Sequence, residues 1–152
     1  LKLNSLSDNR LIDRLYAASR AGVKIQLIVR GICCLIPGVK AMSENIEVIS
    51  VVDKFLEHPR LYIFENDGAP KIYISSADFM RRNLDTRVEI SCPIYDQQIK
   101  EEILETFAIS WSDNVKARCI TQKQDNLYRK NNNPKVRSQF ALYAYYKNKL
   151  EN

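Results

Sequence analysis

Residues 55–64 read Phe55-Leu56-Glu57-His58-Pro59-Arg60-Leu61-Tyr62-Ile63-Phe64, and residues 71–78 read Lys71-Ile72-Tyr73-Ile74-Ser75-Ser76-Ala77-Asp78. Two apolar runs on either side of Asn66-Asp67-Gly68 are typical of a β-hairpin, so we expect strands from Arg60 to Glu65 and from Lys71 to Ser75. The only histidine of the chain, His58, precedes the first strand, and a Ser-Ser-x-Asp sequence leaves the second.

This arrangement suits phosphoryl chemistry. Imidazole can attack phosphorus or protonate a leaving oxygen near neutral pH, and neighbouring cations and hydroxyls can hold phosphate oxygens. We therefore regard His58 as a candidate catalytic residue. The alternative, in which His58 only ends a loop, stays open at this point because a single histidine is weak evidence for a site.

The composition fits one folded domain over residues 1–152. The chain is 45% hydrophobic and 27% charged, which is ordinary for a globular protein. Its net charge of +5 suits anionic partners such as nucleotides, polyphosphate, nucleic acid or a membrane surface, without choosing among them. The chain begins with Leu1-Lys2-Leu3 rather than methionine, so we expect it to be a piece of a longer protein, with part of the active site elsewhere.

The cysteines and tyrosines indicate packing rather than chemistry. The four cysteines contain no Cys-x-x-Cys pair and only one histidine is available to join them, so a zinc site is a poor interpretation. Free thiols in a reducing cytoplasm fit better, and we expect the adjacent Cys33 and Cys34 to pack in the core. Tyr143, Tyr145 and Tyr146 are expected to serve core or interface packing rather than to stack on a base.

Outward from the hairpin, helical and strand patterns alternate, which predicts an α/β fold with a mixed sheet. The further predicted elements are a helix capped by Ser7 or Asp8 and stopped by Gly22, strands at Val23–Val29, Ile46–Ile49, Arg87–Cys92 and Val115–Ile120, a helix after Asp96, and a last helix opened by Pro134 with Val136, Phe140, Tyr143, Ala144 and Leu150 inward. Arg30-Gly31 lies at a strand's carboxyl end, where open α/β sheets bind ligands. Gln122–Asn133 is expected to be a mobile loop, with a ligand-facing loop as the alternative.

Four runs of this sequence carry a family resemblance. They are Gly22–Leu35 (GVKIQLIVRGICCL), Ser43–Ile46 (SENI), Phe55–Arg60 (FLEHPR) and Ile72–Asp78 (IYISSAD). In order and separation they resemble the C-terminal catalytic domain of bacterial polyphosphate kinase, and the resemblance extends from about Leu3 to the final helix. The family more often has glycine at Ala41 and tryptophan at Phe79, and neither departure touches a phosphate-contacting side chain.

The resemblance implies a phospholipase D-like α/β domain, a mixed β-sheet flanked by helices, and reversible transfer of the terminal phosphate of ATP to inorganic polyphosphate. In phospholipase D-like proteins each half supplies a His-x-Lys motif and a later Gly-Ser-x-Asn motif. Here His58-Pro59-Arg60 stands in the first position, with arginine for lysine, and Ser75-Ser76-Ala77-Asp78 stands in the second. The phosphorylated histidine of the family belongs to the preceding domain, so His58 is implied to be its partner histidine.

The residues implied to be catalytic and to bind ATP or phosphate are Arg30 and His58. The fixed fork of donors on Arg30 suits bidentate contact with a transferring phosphoryl group; the alternative is an ion pair with a nearby carboxylate. Further phosphate contacts are implied for Arg60, Lys71, Ser75 and Ser76. Solvated strand residues remain the alternative for the two basic side chains, and ordinary bonding to backbone for the two serines.

Mg²⁺ is expected to accompany ATP, with its protein ligands outside this chain, because no carboxylate cluster here has metal-ligand spacing. The expected partners are ATP or ADP, polyphosphate, the preceding domain of the same polypeptide and a second copy in a homo-oligomer, with no nucleic acid. We expect a cytoplasmic location, leaving peripheral attachment to the inner membrane open, and no activity from this chain alone. The alternatives are a phospholipase D-like phosphodiesterase or nuclease half-site and a non-catalytic module that binds polyanions.

Overall fold

A seven-stranded mixed sheet organises the chain. The structure is a computed structural model that describes residues 1–151. Its elements are β1 (Lys2–Leu3), α1 (Asn9–Arg20), β2 (Ile25–Val29), β3 (Ile46–Val51), β4 (Leu61–Phe64), β5 (Lys71–Ser75), α2 (Arg81–Asp85), β6 (Ser91–Ile94), α3 (Gln97–Trp111), β7 (Ala117–Ile120) and α4 (Ser138–Glu151). The strand order in the sheet is β6-β5-β4-β1-β2-β3-β7.

The central strand β1 is only two residues long and joins two blocks of sheet. On one side it runs parallel to β2, which is itself parallel to β3, and β7 closes that block antiparallel to β3. On the other side β1 pairs antiparallel with β4, and β4, β5 and β6 form an antiparallel meander. Lys2 belongs to both blocks, since it pairs with Ile28 and with Leu61.

Both faces of β2 are buried, which explains why its sequence is a nearly continuous apolar run. Leu27 and Val29 pack in a core on the side of α1, whereas Ile28 packs in a second core with Phe107 and Trp111 of α3. As predicted, α1 is capped by Asp8, whose carboxylate accepts from the backbone N–H of residue 11 at 3.2 Å. The sheet is therefore covered by a helix on each face.

The hairpin prediction is confirmed, but the strand predicted at Arg87–Cys92 is shifted toward the C-terminus. The strand that forms is β6, because Ile94 and Cys92 pair with Ile72 and Ile74 of β5. Val88 is 98% exposed, so the alternating apolar pattern there does not mark a buried face. The short helix α2 carries no apolar periodicity and was not predicted.

The last helix begins at Ser138 rather than at Pro134. Two residues ahead of β7 bond to this segment: Asn114 Oδ1 accepts from the N–H of Val136 at 2.7 Å, and Asp113 Oδ2 accepts from the N–H of Ser138 at 2.7 Å. A helix opened by Pro134 would have bonded the N–H of Ser138 to the carbonyl of residue 134 instead. The inward positions predicted for this helix are wrong at four residues, since most of the helix lies on the surface, beside α3. Those exposed residues are Phe140, Tyr143, Ala144 and Leu150.

Two loop predictions also differ from the structure. Cys34 is exposed, so core packing is wrong for it, whereas Cys33 is partly buried. Residues 127–129 lie beside β7, with the N–H of Arg129 bonded to the carbonyl of Ala117 at 2.8 Å and the guanidinium of Arg118 3.9 Å from the Tyr128 ring. This part of the 122–133 segment is an ordered edge, and the prediction of a mobile loop does not hold for it.

Among the described residues, no helix is long and apolar enough to cross a membrane.

Candidate active site

The candidate site lies at one edge of the sheet, where strands of both blocks end or begin. β1 and β2 are parallel, so the residues that follow them, Asn4 and Arg30, lie side by side. β4 runs against β1, so Arg60 just before β4 lies at the same edge. β5 returns antiparallel to β4 and delivers Asp78 there. Topology alone thus collects side chains that are far apart in the sequence.

Asp78 is the centre of this group of residues. Its Oδ1 accepts from the backbone N–H groups of Asn4 at 2.8 Å and Ser5 at 3.1 Å, and its Oδ2 accepts from Arg60 Nη2 at 2.9 Å. The Asp78 side chain is only 6% exposed. Burial by itself would raise the pKa of this carboxyl, but the bonds from Arg60, Ser5 and Asn4 outweigh it and lower the pKa below the usual value. Asp78 is therefore a buried anion that fixes Arg60.

Arg60 in turn holds the imidazole of His58. Its Nη1 lies 2.8 Å from His58 Nδ1, while its Nη2 lies 3.2 Å from Nε2. Arginine can only donate, and a neutral imidazole has a single acceptor nitrogen. The shorter contact assigns the acceptor role to Nδ1 and places the proton on Nε2. His58 is exposed, so a ring fixed by the Asp78–Arg60 pair is open to a ligand.

Arg30 is held beside this chain of contacts by Asn4, whose Oδ1 accepts from Arg30 Nε at 2.9 Å. The alternative of an ion pair is not what forms, since no carboxylate of residues 1–151 bridges to Arg30. Two buried polar atoms nearby, Asn4 Nδ2 and Arg60 Nε, have no hydrogen-bond partner within the described residues. Buried polar groups are normally satisfied, so these atoms mark an edge whose polar contacts are incomplete.

The other predicted phosphate contacts are placed less favourably. Lys71 pairs with Phe64 at the turn end of the hairpin, four residues along β5 from Ser75 and so about 13 Å away at the rise of a strand. Ser75 Oγ lies 2.8 Å from Ser91 Oγ and 3.1 Å from the Ile90 carbonyl. The structure thus brings Arg30, His58 and Arg60 together, but it leaves Lys71 apart.

Ser76 is turned toward β6 as well. Its hydroxyl donates to the carboxylate of Glu89, which also accepts from Asn83 Nδ2 at 2.6 Å. These two bonds lower the pKa of the Glu89 carboxyl. Both serine hydroxyls therefore serve bonds between β5 and the segment leading into β6, as the alternative to phosphate binding proposed.

Sequence reasoning missed the two residues that assemble the site. Asp78 was visible as the last member of the Ser-Ser-x-Asp exit, yet nothing local shows that its carboxylate bonds to Asn4 and Ser5, more than seventy positions away. Asn4 follows a strand of two residues that the sequence does indicate at Leu1–Leu3, but nothing local shows that its side chain accepts from Arg30. A signal did exist for both, because polar residues at strand ends gather at one edge of an α/β sheet.

The described residues do not fit a magnesium site. No group of three or more His, Cys, Asp and Glu side chains within residues 1–151 is arranged to hold a metal ion, and Mg²⁺ is bound by carboxylates and phosphates. Asp78, the carboxylate that holds Arg60, already accepts three hydrogen bonds.

Comparison with known proteins bears directly on this site. The family model for polyphosphate kinase C-terminal domain 2 matches residues 1–139, which include Arg30, His58, Arg60 and Asp78. The chain belongs to this family. Polyphosphate kinase from Vibrio vulnificus strain YJ016 is 52% identical over 149 residues, covering 97% of this chain and 21% of that protein. Polyphosphate kinase from Escherichia coli K12 is 51% identical over 148 residues, covering 97% and 22%.

A solved structure agrees with the fold. The crystal structure of polyphosphate kinase from Porphyromonas gingivalis superposes with a TM-score of 0.96 at 47% identity, covering 99% of this chain and 23% of that one. The expected α/β fold, a mixed sheet flanked by helices, is confirmed. The chain spans about a fifth of the length of the curated relatives it matches.

Proposed function

We propose that this domain forms one half of the active site of an ATP:polyphosphate phosphotransferase. The observation that carries the proposal is the convergence of Arg30 and of His58, oriented by Arg60, at one edge of the sheet. Family membership and the names of the relatives support the same reaction. The other half of the site, including the histidine that becomes phosphorylated, is proposed to lie outside these residues, in the rest of the polypeptide.

In the proposed reaction the γ-phosphoryl group of ATP passes to a histidine nitrogen outside this chain and then to the terminal oxygen of polyphosphate. In the first step a P–O bond to ADP breaks as the P–N bond forms, and in the second the P–N bond breaks as a new P–O bond forms. Both transition states spread charge over phosphoryl oxygens, so catalysis depends on positioning and electrostatics. Arg30 supplies a fixed positive fork for those oxygens.

His58 is proposed to donate its Nε2 proton, as a hydrogen bond, to the bridging oxygen that gains charge as ADP leaves. Arg60 donates to Nδ1 over the shorter contact, which leaves the ring proton on Nε2, the nitrogen proposed to donate to the bridging oxygen in place of its 3.2 Å contact with Arg60 Nη2. Arg60 itself is engaged with Asp78 and His58, so its role is to orient the imidazole. Homo-oligomerisation and a cytoplasmic location stay predictions; the four free cysteines fit the latter.

The test is the His58→Ala variant of the full-length enzyme. We expect polyphosphate synthesis to be abolished or severely reduced, while radiolabelled phosphate from ATP still reaches an acid-labile position outside this chain, but more slowly, because ADP leaves without the hydrogen bond from His58. Peptide mass spectrometry locates the label. A stable phosphoryl group on His58, and none elsewhere, would contradict this division of roles, and normal synthesis by His58→Ala would refute the site altogether.

A further inference from the structure

The loop that leads into His58 is held by a residue that lies far away in the sequence. Gln139, in the first turn of α4, is more than nine-tenths buried. Its Oε1 accepts from the backbone N–H of Phe55 at 2.8 Å, and its Nε2 donates to the Phe55 carbonyl at 2.7 Å. The same nitrogen donates to Glu57 Oε1 at 2.9 Å. One amide side chain thus satisfies both backbone groups of Phe55 and the side chain next to His58.

Neighbouring contacts hold the same loop. Glu57 accepts from Lys2 Nζ of the central strand at 2.5 Å. At the start of the loop, Arg137 donates two bonds to the carboxylate of Asp53, at 2.7 and 2.8 Å. The Arg137 bonds outweigh burial and keep the pKa of Asp53 below its usual value. Arg137 and Gln139, which flank Ser138, therefore fix the loop to the start of α4.

On the far side of His58 the chain is equally fixed. Pro59 has a restricted φ, and β4 begins at Leu61, which pairs with Lys2 and Ile74. His58 is therefore the exposed apex of a segment anchored on both sides. The upstream anchor is the amide of Gln139, because it binds Phe55 and Glu57, which lie three residues and one residue before His58.

We propose that Gln139 is a positioning residue for His58, acting through the Phe55–Glu57 loop and not by contact with substrate. The inference rests on the proposed function of His58. Misplacing a reacting group by about 1 Å can lower the rate about a hundredfold. A buried amide that fixes the position of this loop therefore influences turnover without touching the phosphates. Substrate affinity depends less on it, because Arg30 is held separately through Asn4.

The test is a double-mutant cycle in the full-length enzyme. Gln139→Met keeps the length of the side chain but removes all three hydrogen bonds. We expect kcat for polyphosphate synthesis to fall at least about tenfold and KM for ATP to change less than about twofold. In a His58→Ala background, the same substitution is expected to lower the residual rate less than about twofold, because there is no imidazole left to position.

The matched control is Gln98→Met, the same substitution at an exposed glutamine of α3, which is expected to leave the kcat of each background unchanged. Each protein is assayed well below its own Tm, measured by calorimetry. If Gln139→Met fails to fold, Gln139→Glu takes its place in the cycle, since it has the same shape and retains the acceptor for Phe55 but cannot donate when ionised.

The outcomes separate the two proposals. If His58→Ala is impaired and Gln139→Met lowers the rate by the same factor in both backgrounds, Gln139 acts generally on the fold and its positioning role is overturned. An unchanged kcat for Gln139→Met overturns it as well. If His58→Ala keeps wild-type turnover, the proposed function of His58 is what fails, and the inference built on it fails with it.

Discussion

One guanidinium nitrogen of Arg30 is hydrogen-bonded to a neighbouring residue, and the other two can still donate to a ligand. Within residues 1–151 its guanidinium makes a single hydrogen bond, from Nε to Asn4. The backbone around it is fixed too, because Ser50 Oγ donates to the Arg30 carbonyl at 3.1 Å and the Arg30 N–H bonds to the Leu3 carbonyl at 3.1 Å. Such a side chain is oriented before a ligand arrives, which is what electrostatic stabilisation of a transition state requires.

We expect Arg30→Ala to reduce kcat of the full-length enzyme by about a hundred- to a thousandfold, the usual effect of losing one donor to a transition-state anion. Arg30→Lys is expected to recover little, because a point charge can neither form the planar fork nor keep the Nε bond to Asn4. Steady-state kinetics measure both, with the exposed Arg20→Lys on α1 as the control. Activity within a factor of two of wild type for either Arg30 variant would contradict the role.

Among the elements, the junction of β1 and β2 sets the geometry of the site. Gly31 follows β2, and its N–H bonds to the Asn4 carbonyl at 2.8 Å. A Cβ added at Gly31 would lie 3.1 Å from that same carbonyl oxygen, closer than ordinary van der Waals contact. The absence of a side chain at this position lets the two strand ends approach closely enough for Asn4 to bind Arg30.

Gly31→Ala is therefore expected to displace Asn4 by a few tenths of an ångström. The free energy of unfolding should fall by about 1–3 kcal/mol, and kcat should fall even while the protein stays folded. Gly68→Ala provides the contrast. Gly68 has open space around it but a φ of +77° at the hairpin turn, so alanine there strains the backbone far from the site, at a cost of about 1 kcal/mol. Kinetics and urea unfolding of both variants check this; equal losses of kcat would be inconsistent with it.

The helices and strands also show which features of the structure can be predicted from the sequence. The hairpin, the Asp8 cap and Arg30 at a strand end follow from local patterns and are found in the structure. The start of α4 does not follow, because Asp113, outside the helix, accepts from the N–H of Ser138, which an earlier start would have bonded to the carbonyl of residue 134. The same limit applies to the site: the Asp78 bonds that orient Arg60 and Asn4 join residues of separate strands, and no local pattern encodes them.

At the scale of the whole molecule, buried carboxylates tie distant segments together. Asp113 is fully buried; its Oδ1 accepts from three consecutive backbone N–H groups, those of residues 115–117, at 2.7–3.0 Å, while Oδ2 binds α4. Burial alone would raise the pKa of Asp113, yet the backbone donors lower it. The pKa values of Asp53 and Asp78 are lowered as well. Each of these groups therefore contributes stability only while it is ionised.

The sign of the resulting pH dependence follows from these directions. In the unfolded chain an aspartate titrates near pH 3.9, and the folded pKa values lie lower, so the unfolded state binds protons first as the solution is acidified. We expect the contribution of these carboxyl groups to the free energy of unfolding to be level above about pH 5 and to decline steadily below about pH 4. Urea unfolding of this chain at several pH values measures it.

Asp113→Asn isolates one of these contributions. The amide keeps an acceptor for the β7 turn but presents a donor to the N–H of Ser138, so the variant should be less stable at pH 7 and its stability should depend less on pH in the acid range. The exposed Asp13→Asn on α1 is the control. An acid dependence identical to that of the wild type would show that Asp113 is not one of the groups responsible.

The two-residue strand β1 has a consequence for the order of folding. It precedes the other strands of the sheet in the sequence, yet it cannot be paired on both sides until Ile28 and Leu61 are present. Contacts between residues distant in the sequence form slowly because long loops must close, and each block of sheet exposes an unpaired edge until β1 is inserted. Arg30 follows a strand of one block and Arg60 precedes a strand of the other, so we expect the geometry of the candidate site to form only in the last, cooperative step of folding.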